Sequence, residues 1–239
     1  MVHKCSYGII NDVKTERGKS MVTYKEIQDS KEIKSYIEMA DKALKSIGFT
    51  EHSFAHVTRT AQVASQILTD LGYDERTAEI GKIAGYMHDI GNVVNRVDHA
   101  QSGAIMAFRI LDKMGMDPVE IAQVICAIGN HDEGTAFPVN EICAALILAD
   151  KSDVRRSRVR NKNAVQFDIH DRVNYAVEKS ELLIDKSNKK FVLNLTIDES
   201  ISPIADYFEI FLGRMSLCRK AAGYFSMGFE VHMNDIRVM

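Results

Sequence analysis

The sequence predicts a mainly α protein: a bundle of helices followed by a small α+β subdomain at the C-terminal end. Three observations carry that expectation. Apolar residues recur at helical spacing as far as Ser152, only 3 prolines in 239 residues leave long helices uninterrupted, and the period changes to alternation after about Asp168. Glycines between the periodic segments fall at their ends, where a helix C-cap favours them.

The elements follow in order. Residues 1–20 mix Gly, Asn, Lys and Asp without a period and read as a flexible lead-in. A first helix starts after Thr23, carries Ile27, Ile33, Ile37, Ala40 and Leu44 on one face, and stops at Gly48. A second runs from Ser53 through Val57, Ala61, Ala64, Ile67 and Leu71 to Gly72, and a third from Asp74 through Ala78, Ile83, Ala84 and Met87. Asp98 precedes a fourth, with Ala104, Ala107, Phe108 and Leu111 inward and Gly115 at its end. Asp117-Pro118 pairs a capping residue with a proline at the first helical position and opens a fifth helix, which ends at Gly129. Asn140 caps a sixth, Glu141 to Ser152. These helices make up a domain over 21–167. In the subdomain, 168–239, Val173, Tyr175 and Val177 alternate toward a turn at Lys186-Ser187-Asn188-Lys189, and Phe191, Leu193, Leu195 and Ile197 return as the second strand of a hairpin. Pro203 opens a long helix with Ile204, Phe208, Phe211, Leu212 and Met215 inward, and Phe229, Val231 and Met233 form a last strand. About 70 residues is near the lower limit for a self-sufficient core, so this subdomain is expected to pack on the bundle or on a second subunit. Its apolar hairpin and Phe208/Phe211 helix suit a homodimer interface or a contact inside the chain.

Composition narrows the function. With 30 Lys+Arg against 33 Asp+Glu the net charge is −3, so no broad positive field attracts nucleic acid or an anionic membrane, and an anionic ligand must be met by a local site. The longest apolar run, Ile142 to Ala149, is far short of a membrane span, and the first residues have no signal-peptide core. A cytoplasmic protein is expected. Cys5, Cys126, Cys143 and Cys218 lie far apart without a CxxC and read as reduced thiols.

The chemistry lies in His56, His88-Asp89, His99, His131 and Asp150, an ordered set spread over separate helical segments. Helical bundles build dinuclear metal sites by converging side chains from several helices on one point. Imidazole and carboxylate ligands together suit iron, manganese or zinc.

The stretches AHVTRTAQVA, AGYMHDIGN, DHAQSGA, GNHDEG and ALILADKSD, in that order over about Ser53 to Asp153, resemble the HD superfamily of metal-dependent phosphohydrolases. The two histidines between His88-Asp89 and the final Asp150 resemble its dinuclear branch. The layout is similar to the symmetrical dinucleoside tetraphosphate hydrolases, notably in Ala149-Asp150-Lys151, and more loosely to the HD-GYP phosphodiesterases, whose GYP signature and paired histidines this chain lacks. The resemblance implies an HD-domain helical bundle holding two divalent metal ions, iron or manganese foremost, with zinc, magnesium or nickel also compatible. It implies that Asp89 bridges the two, that His56, His88 and Asp150 complete one site, and that His99 and His131 complete the other. Asp89, Lys151 and Asp132 are the catalytic candidates, with Lys151 reaching a phosphate oxygen and Asp132 orienting a ligand or taking a proton from water.

A basic run, Lys151, Arg155, Arg156, Arg158, Arg160 and Lys162, follows the last candidate ligand. It is either a solvated stretch or an electropositive rim above the metals. On the second reading Arg155 and Arg156 join Lys151 in holding the phosphates that are not cleaved. No aromatic platform accompanies the run, so nucleic acid is not an expected partner. His52 reads as solvated, although one turn before His56 it could face the site; His3, His170 and His232, with Met87, Met106 and Met114, read as structural. The expected function is hydrolysis of a phosphoester or phosphoanhydride in a small phosphorylated molecule such as a nucleotide, by water activated at the metals. The alternatives are an HD-type diiron oxygenase and a non-catalytic regulatory metal-binding module.

Overall fold

A computed structural model describes residues 21–160 and 168–239. The expected lead-in, Cys5 and Lys162 lie outside the described residues.

The first predicted helix is two helices, α1 (Tyr24–Asp29) and α2 (Lys31–Ser46). Ser30 leaves the helical region at φ −62°, ψ 117°; its N–H closes α1 on the Glu26 carbonyl at 3.0 Å, and its hydroxyl accepts from Ile33 N. A one-residue break barely disturbs the apolar face, so Ile27, Ile33 and Ile37 remain buried in one stripe that periodicity alone reads as continuous. Next come α3 (Phe54–Asp70) and α4 (Glu75–Met87), a 3-10 turn at Ile90–Val93, then α5 (His99–Met114), α6 (Pro118–Gly129) and α7 (Glu141–Lys151). Helices α3, α4 and α6 all pack on α7. Every residue of α7 from Ile142 to Ala149 is buried, as expected of a helix that is apolar all round. In α5 the inward face is His99, Ala100, Gly103, Ala107, Ile110 and Leu111, and Phe108 stays 47% exposed, contrary to the expected stripe. The site pulls His99 inward at the first position of α5, and that sets the helix phase.

The subdomain begins with a helix, α8 (Ile169–Ala176), not a strand. Val173 and Tyr175 belong to it, and the overlooked signal is Asp168, whose carboxylate accepts from the amides of His170 and Asp171 as an N-cap. Strand β1 (Val177–Asp185) pairs antiparallel with β2 (Lys190–Ile197) across the predicted turn. Helix α9 (Ile204–Tyr224) then crosses over to β3 (Gly228–Met233), which lies parallel to β2, and the short β4 (Ile236–Arg237) closes the sheet order β1-β2-β3-β4. The pairs Phe191–Phe229, Leu193–Val231 and Leu195–Met233 bury their side chains. Tyr207, Phe211, Met215 and Cys218 are the buried face of α9, whereas Leu212, expected inward, is 54% exposed. Helix α9 also packs on α7, so one apolar core runs from the bundle into the subdomain. Cys143 and Cys218 are buried and Cys126 half-buried, all as free thiols. No described helix is long and apolar enough to cross a membrane.

Two glycines allow the approach that the site needs. A Cβ on Gly85 of α4 would lie 2.7 Å from Ala61 Cα in α3; on Gly91 it would lie 2.0 Å from the His99 carbonyl oxygen and 2.4 Å from Gly103 N. These are backbone neighbours that cannot rotate away. Gly91→Ala is therefore expected to separate the 3-10 turn from α5, to destabilise the protein by about 1–3 kcal/mol in chemical denaturation, and to lower metal retention by moving Asp89 away from His99.

Candidate metal centre

Five elements supply the six expected ligands. His56 stands in the first turn of α3, His88 and Asp89 directly follow α4, His99 opens α5, His131 follows α6, and Asp150 lies in the last turn of α7. The four histidines are buried in spite of their polarity.

The Nδ1 atom of each ring is held by an oxygen: His56 by Asp153 Oδ2 at 2.8 Å, His88 by the Gly85 carbonyl at 2.8 Å, His99 by the Arg96 carbonyl at 3.0 Å and His131 by the Ile128 carbonyl at 2.6 Å. An oxygen acceptor there keeps the proton on Nδ1 and turns Nε2, with its lone pair, toward the centre. His56 Nε2 and His88 Nε2 are buried with no hydrogen-bond partner. Orphaned nitrogens of this kind, beside carboxylates, are the donor set of a cation site. The residues therefore fit a divalent metal.

Asp89 divides the set. Its Oδ2 lies 3.3 Å from His88 Nε2 and 3.6 Å from His56 Nε2, and Asp150 Oδ1 faces the same two nitrogens at 3.6 and 3.2 Å. Its Oδ1 lies 3.5 Å from His99 Nε2 and 4.0 Å from His131 Nε2, and those two nitrogens are 3.2 Å apart. His56, His88 and Asp150 form one group able to hold a metal ion, and His88, Asp89 and His131 another. Asn92 donates to Asp89 Oδ1 at 2.8 Å and fixes the carboxylate plane.

The protein groups alone leave a charged centre. Burial would lower the pKa of His88, but Asp89 and Asp150 override it and raise it to about 10. Burial opposes ionisation of Asp89 and Asp150 too, yet His88 holds the first, and Lys151 with His56 holds the second, well below the usual carboxylate range. Burial depresses His131 and His99, keeping both neutral as ligands must be.

Above the centre lies a pocket of about 400 Å³. Its floor includes Asp89, His99, His131 and Asp150; Arg96, Lys151, Arg158 and Arg214 give it a cationic wall, and Phe49 and Phe211 an apolar one. Lys151 is buried, with Nζ 2.7 Å from Asp150 Oδ2 and 3.5 Å from Glu133 Oε1. Burial lowers its pKa, and these carboxylates more than restore it. Glu133 also binds Arg214 Nε at 2.8 Å; although burial opposes it, Lys151 and Arg214 lower its pKa to about 2. Asp132 lies at the edge of the centre, 3.9 Å from His99 Nε2 and 3.7 Å from Arg96 Nη2, with Oδ1 buried and unbonded.

Arg155 and Arg156 are not at this rim. Arg155 Nε binds Asp153 at 2.5 Å, and Arg156 Nε binds the Tyr175 carbonyl at 2.5 Å while its guanidinium lies over the Tyr175 ring. Both line a separate cleft with Arg59 and Glu178. The turn Arg156–Arg158 after α7 directs Arg158 inward instead. His52 is a second correction: its ring meets His56 edge-on at 5.4 Å and lines the pocket. His170 also lines it, at the edge supplied by α8.

Asp153 is the principal residue that sequence reasoning missed. It is buried, and besides His56 it binds Arg59 Nε at 3.0 Å and Arg155. Its position three residues after Asp150 was the available signal. Arg214 and Phe211 gave none, because only the docking of α9 brings them to the pocket.

Residues 53–176, more than half of the chain, match the HD domain, and the protein belongs to that family. The chain is 24% identical over 189 residues to the uncharacterized protein MJ1020 of Methanocaldococcus jannaschii, covering 70% of this chain and 73% of that one. It is 28% identical over 131 residues to ribonuclease Y of Opitutus terrae, covering 55% of this chain and 23% of the relative. Among solved structures, a predicted HD superfamily hydrolase from an uncultured Thermotogales bacterium shares 29% identity over 51% of this chain and 67% of its own, with a TM-score of 0.41.

Asp153→Asn removes the charge behind His56 while keeping the side chain's size. Metal retention against a chromogenic chelator is expected to weaken by about 10–100-fold, with the fold intact by circular dichroism.

Proposed function

We propose that this protein is a metal-dependent phosphohydrolase with two divalent ions bridged by Asp89, acting on a small phosphorylated molecule of nucleotide size. The observation that carries the reading is the division of the six ligands about the two oxygens of Asp89 beneath a pocket walled by cations. When bound, such a metal pair neutralises phosphoryl oxygens and lowers the pKa of water toward neutrality.

The chain's own residues supply the rest. Asp153 and three backbone carbonyls orient the imidazoles before any ligand arrives, so no reorganisation is required at the reacting centre. Lys151, fixed between Asp150 and Glu133, presents a permanent positive charge beside the centre, where charge develops as a phosphoryl group is transferred. Asp132, with a free buried oxygen beside His99, is placed to accept a proton from an attacking water. Phe49 and Phe211 offer apolar surface to the organic part of the substrate. A pocket of about 400 Å³ suits one nucleotide rather than a polymer, even though one relative bears the name of a ribonuclease.

The test is metal analysis of anaerobically purified protein, coupled to phosphate release over mono-, di- and dinucleoside polyphosphates and a short RNA, with added manganese or iron. About two metals per chain and turnover of a nucleotide are expected. Two irons with substrate-dependent oxygen uptake and no phosphate release would make it an oxygenase; metal without turnover would make it a binding module.

Asp89→Ala is expected to abolish both metal retention and hydrolysis, and full activity in that variant would refute the reading. Lys151→Met should retain metal and lose about 10²–10³ in kcat, measured on the best substrate of the panel.

A further inference from the structure

Arg158 is 4% exposed, yet it stands in the wall of the pocket above the metal centre. Its Nε donates to the Glu51 carbonyl at 2.9 Å and its Nη1 to the Asp153 carbonyl at 2.7 Å. Those neutral acceptors hold the guanidinium in place without balancing its charge. The nearest carboxylate is Asp153, 3.7 Å from Nη1, and it is heavily shared: it also takes the His56 Nδ1–H at 2.8 Å, Arg155 Nε at 2.5 Å and Arg59 Nε at 3.0 Å. One carboxylate thus faces three guanidiniums. Among the described residues Arg158 Nη2 has no hydrogen-bond partner.

The other buried cation in the wall is compensated. Lys151 has Asp150 and Glu133, and the half-exposed Arg214 has Glu133. A buried charge whose counterion is shared with two other guanidiniums is poorly balanced, and an arginine serving only to tie the Glu51 and Asp153 segments together would explain Nε and Nη1 but not an unbonded Nη2 in a residue that lines the pocket. The guanidinium fork is the group best matched to an oxyanion.

We infer that Arg158 binds a second oxyanion of the substrate, distinct from the phosphoryl group held at the metal centre, so that the substrate carries two anionic groups: the phosphoryl group to be cleaved and a further phosphate or carboxylate. The inference rests on the hydrolase reading only for the position of the first group. It also explains why the basic run after α7 sends Arg158 inward while Arg155 and Arg156 turn to other partners.

The test compares three stable ligands on the full-length protein by titration calorimetry: methylphosphonate, methylenediphosphonate and phosphonoacetate. Wild type is expected to bind at least one of the two doubly anionic ligands about tenfold or more tightly than methylphosphonate, and that advantage should fall below about threefold in Arg158→Gln. Preference for methylenediphosphonate identifies the second group as phosphate, and preference for phosphonoacetate identifies it as carboxylate. No advantage in wild type, or an undiminished one in Arg158→Gln, overturns the inference. Thermal melting reports whether Arg158→Gln folds. If it does not, Arg158→Lys decides: the charge stays while the fork is lost, so a reduced advantage supports the inference and an unchanged one overturns it. Turnover is scored separately on metal-loaded protein. Ligand discrimination through Arg158 without hydrolysis would sink the hydrolase reading alone, and hydrolysis without that discrimination would sink this inference alone.

Discussion

The constraint on which the rest of the structure depends is the burial of the Asp89 carboxylate among four imidazoles. An ionised carboxylate away from water is tolerable only when positive charge or hydrogen-bond donors surround it closely. Here the charge of His88 and the amide of Asn92 meet it at the end of α4 and in the turn that follows, while α3, α5 and the segment after α6 bring the other imidazoles and α7 brings Asp150 opposite, so the bundle must close to within a few ångströms on all sides at once. The close approaches at Gly85 and Gly91 follow from that demand, as does the inward turn of His99.

Helix α7 carries the second demand. Apolar on every face, it can only be the centre of the bundle, and its last turn delivers Asp150 and Lys151 together into the pocket. A lysine at a helix C-terminus is favoured by the helix dipole, while an aspartate there is not, and Lys151 offsets the charge of Asp150 directly at 2.7 Å. The loop that follows supplies Asp153 to His56 and Arg158 to the pocket wall, so the segment Asp150 to Arg158 supplies in turn a candidate ligand, the oxygen that orients His56 and part of the pocket wall.

The α+β subdomain is part of the pocket rather than an attachment to it. Helix α9 continues the apolar core against α7 and contributes Phe211 and Arg214 to the wall, and α8 contributes its first turns. Ser180 of β1 donates to the Ser152 carbonyl at 2.7 Å, and Arg59 of α3 bonds both the Ser180 carbonyl and Asp153, so the sheet edge is bonded to the loop behind His56. The pocket wall and the orientation of His56 therefore share one structural support.

The sequence by itself determined the helical bundle, its capping residues at Asp117 and Asn140, and the list of imidazoles and carboxylates with unusual order, because helical period and capping chemistry are local. It was misled where local signals overlap. Val173, Tyr175 and Val177 alternate like a strand although the first two lie in α8, and Ser30 breaks a helix without disturbing its stripe. The direction of each arginine after α7 was not legible, since Arg155, Arg156 and Arg158 differ only in which acceptor the folded chain offers them: Asp153, the Tyr175 carbonyl, and the Glu51 and Asp153 carbonyls. The parallel placement of β3 beside β2, the arrival of Phe211 and Arg214 at the pocket, and the shared use of Asp153 are long-range contacts. Only the tertiary structure decided them, because a charged side chain turns toward whichever partner relieves its desolvation, and that partner is fixed by packing far away in the chain.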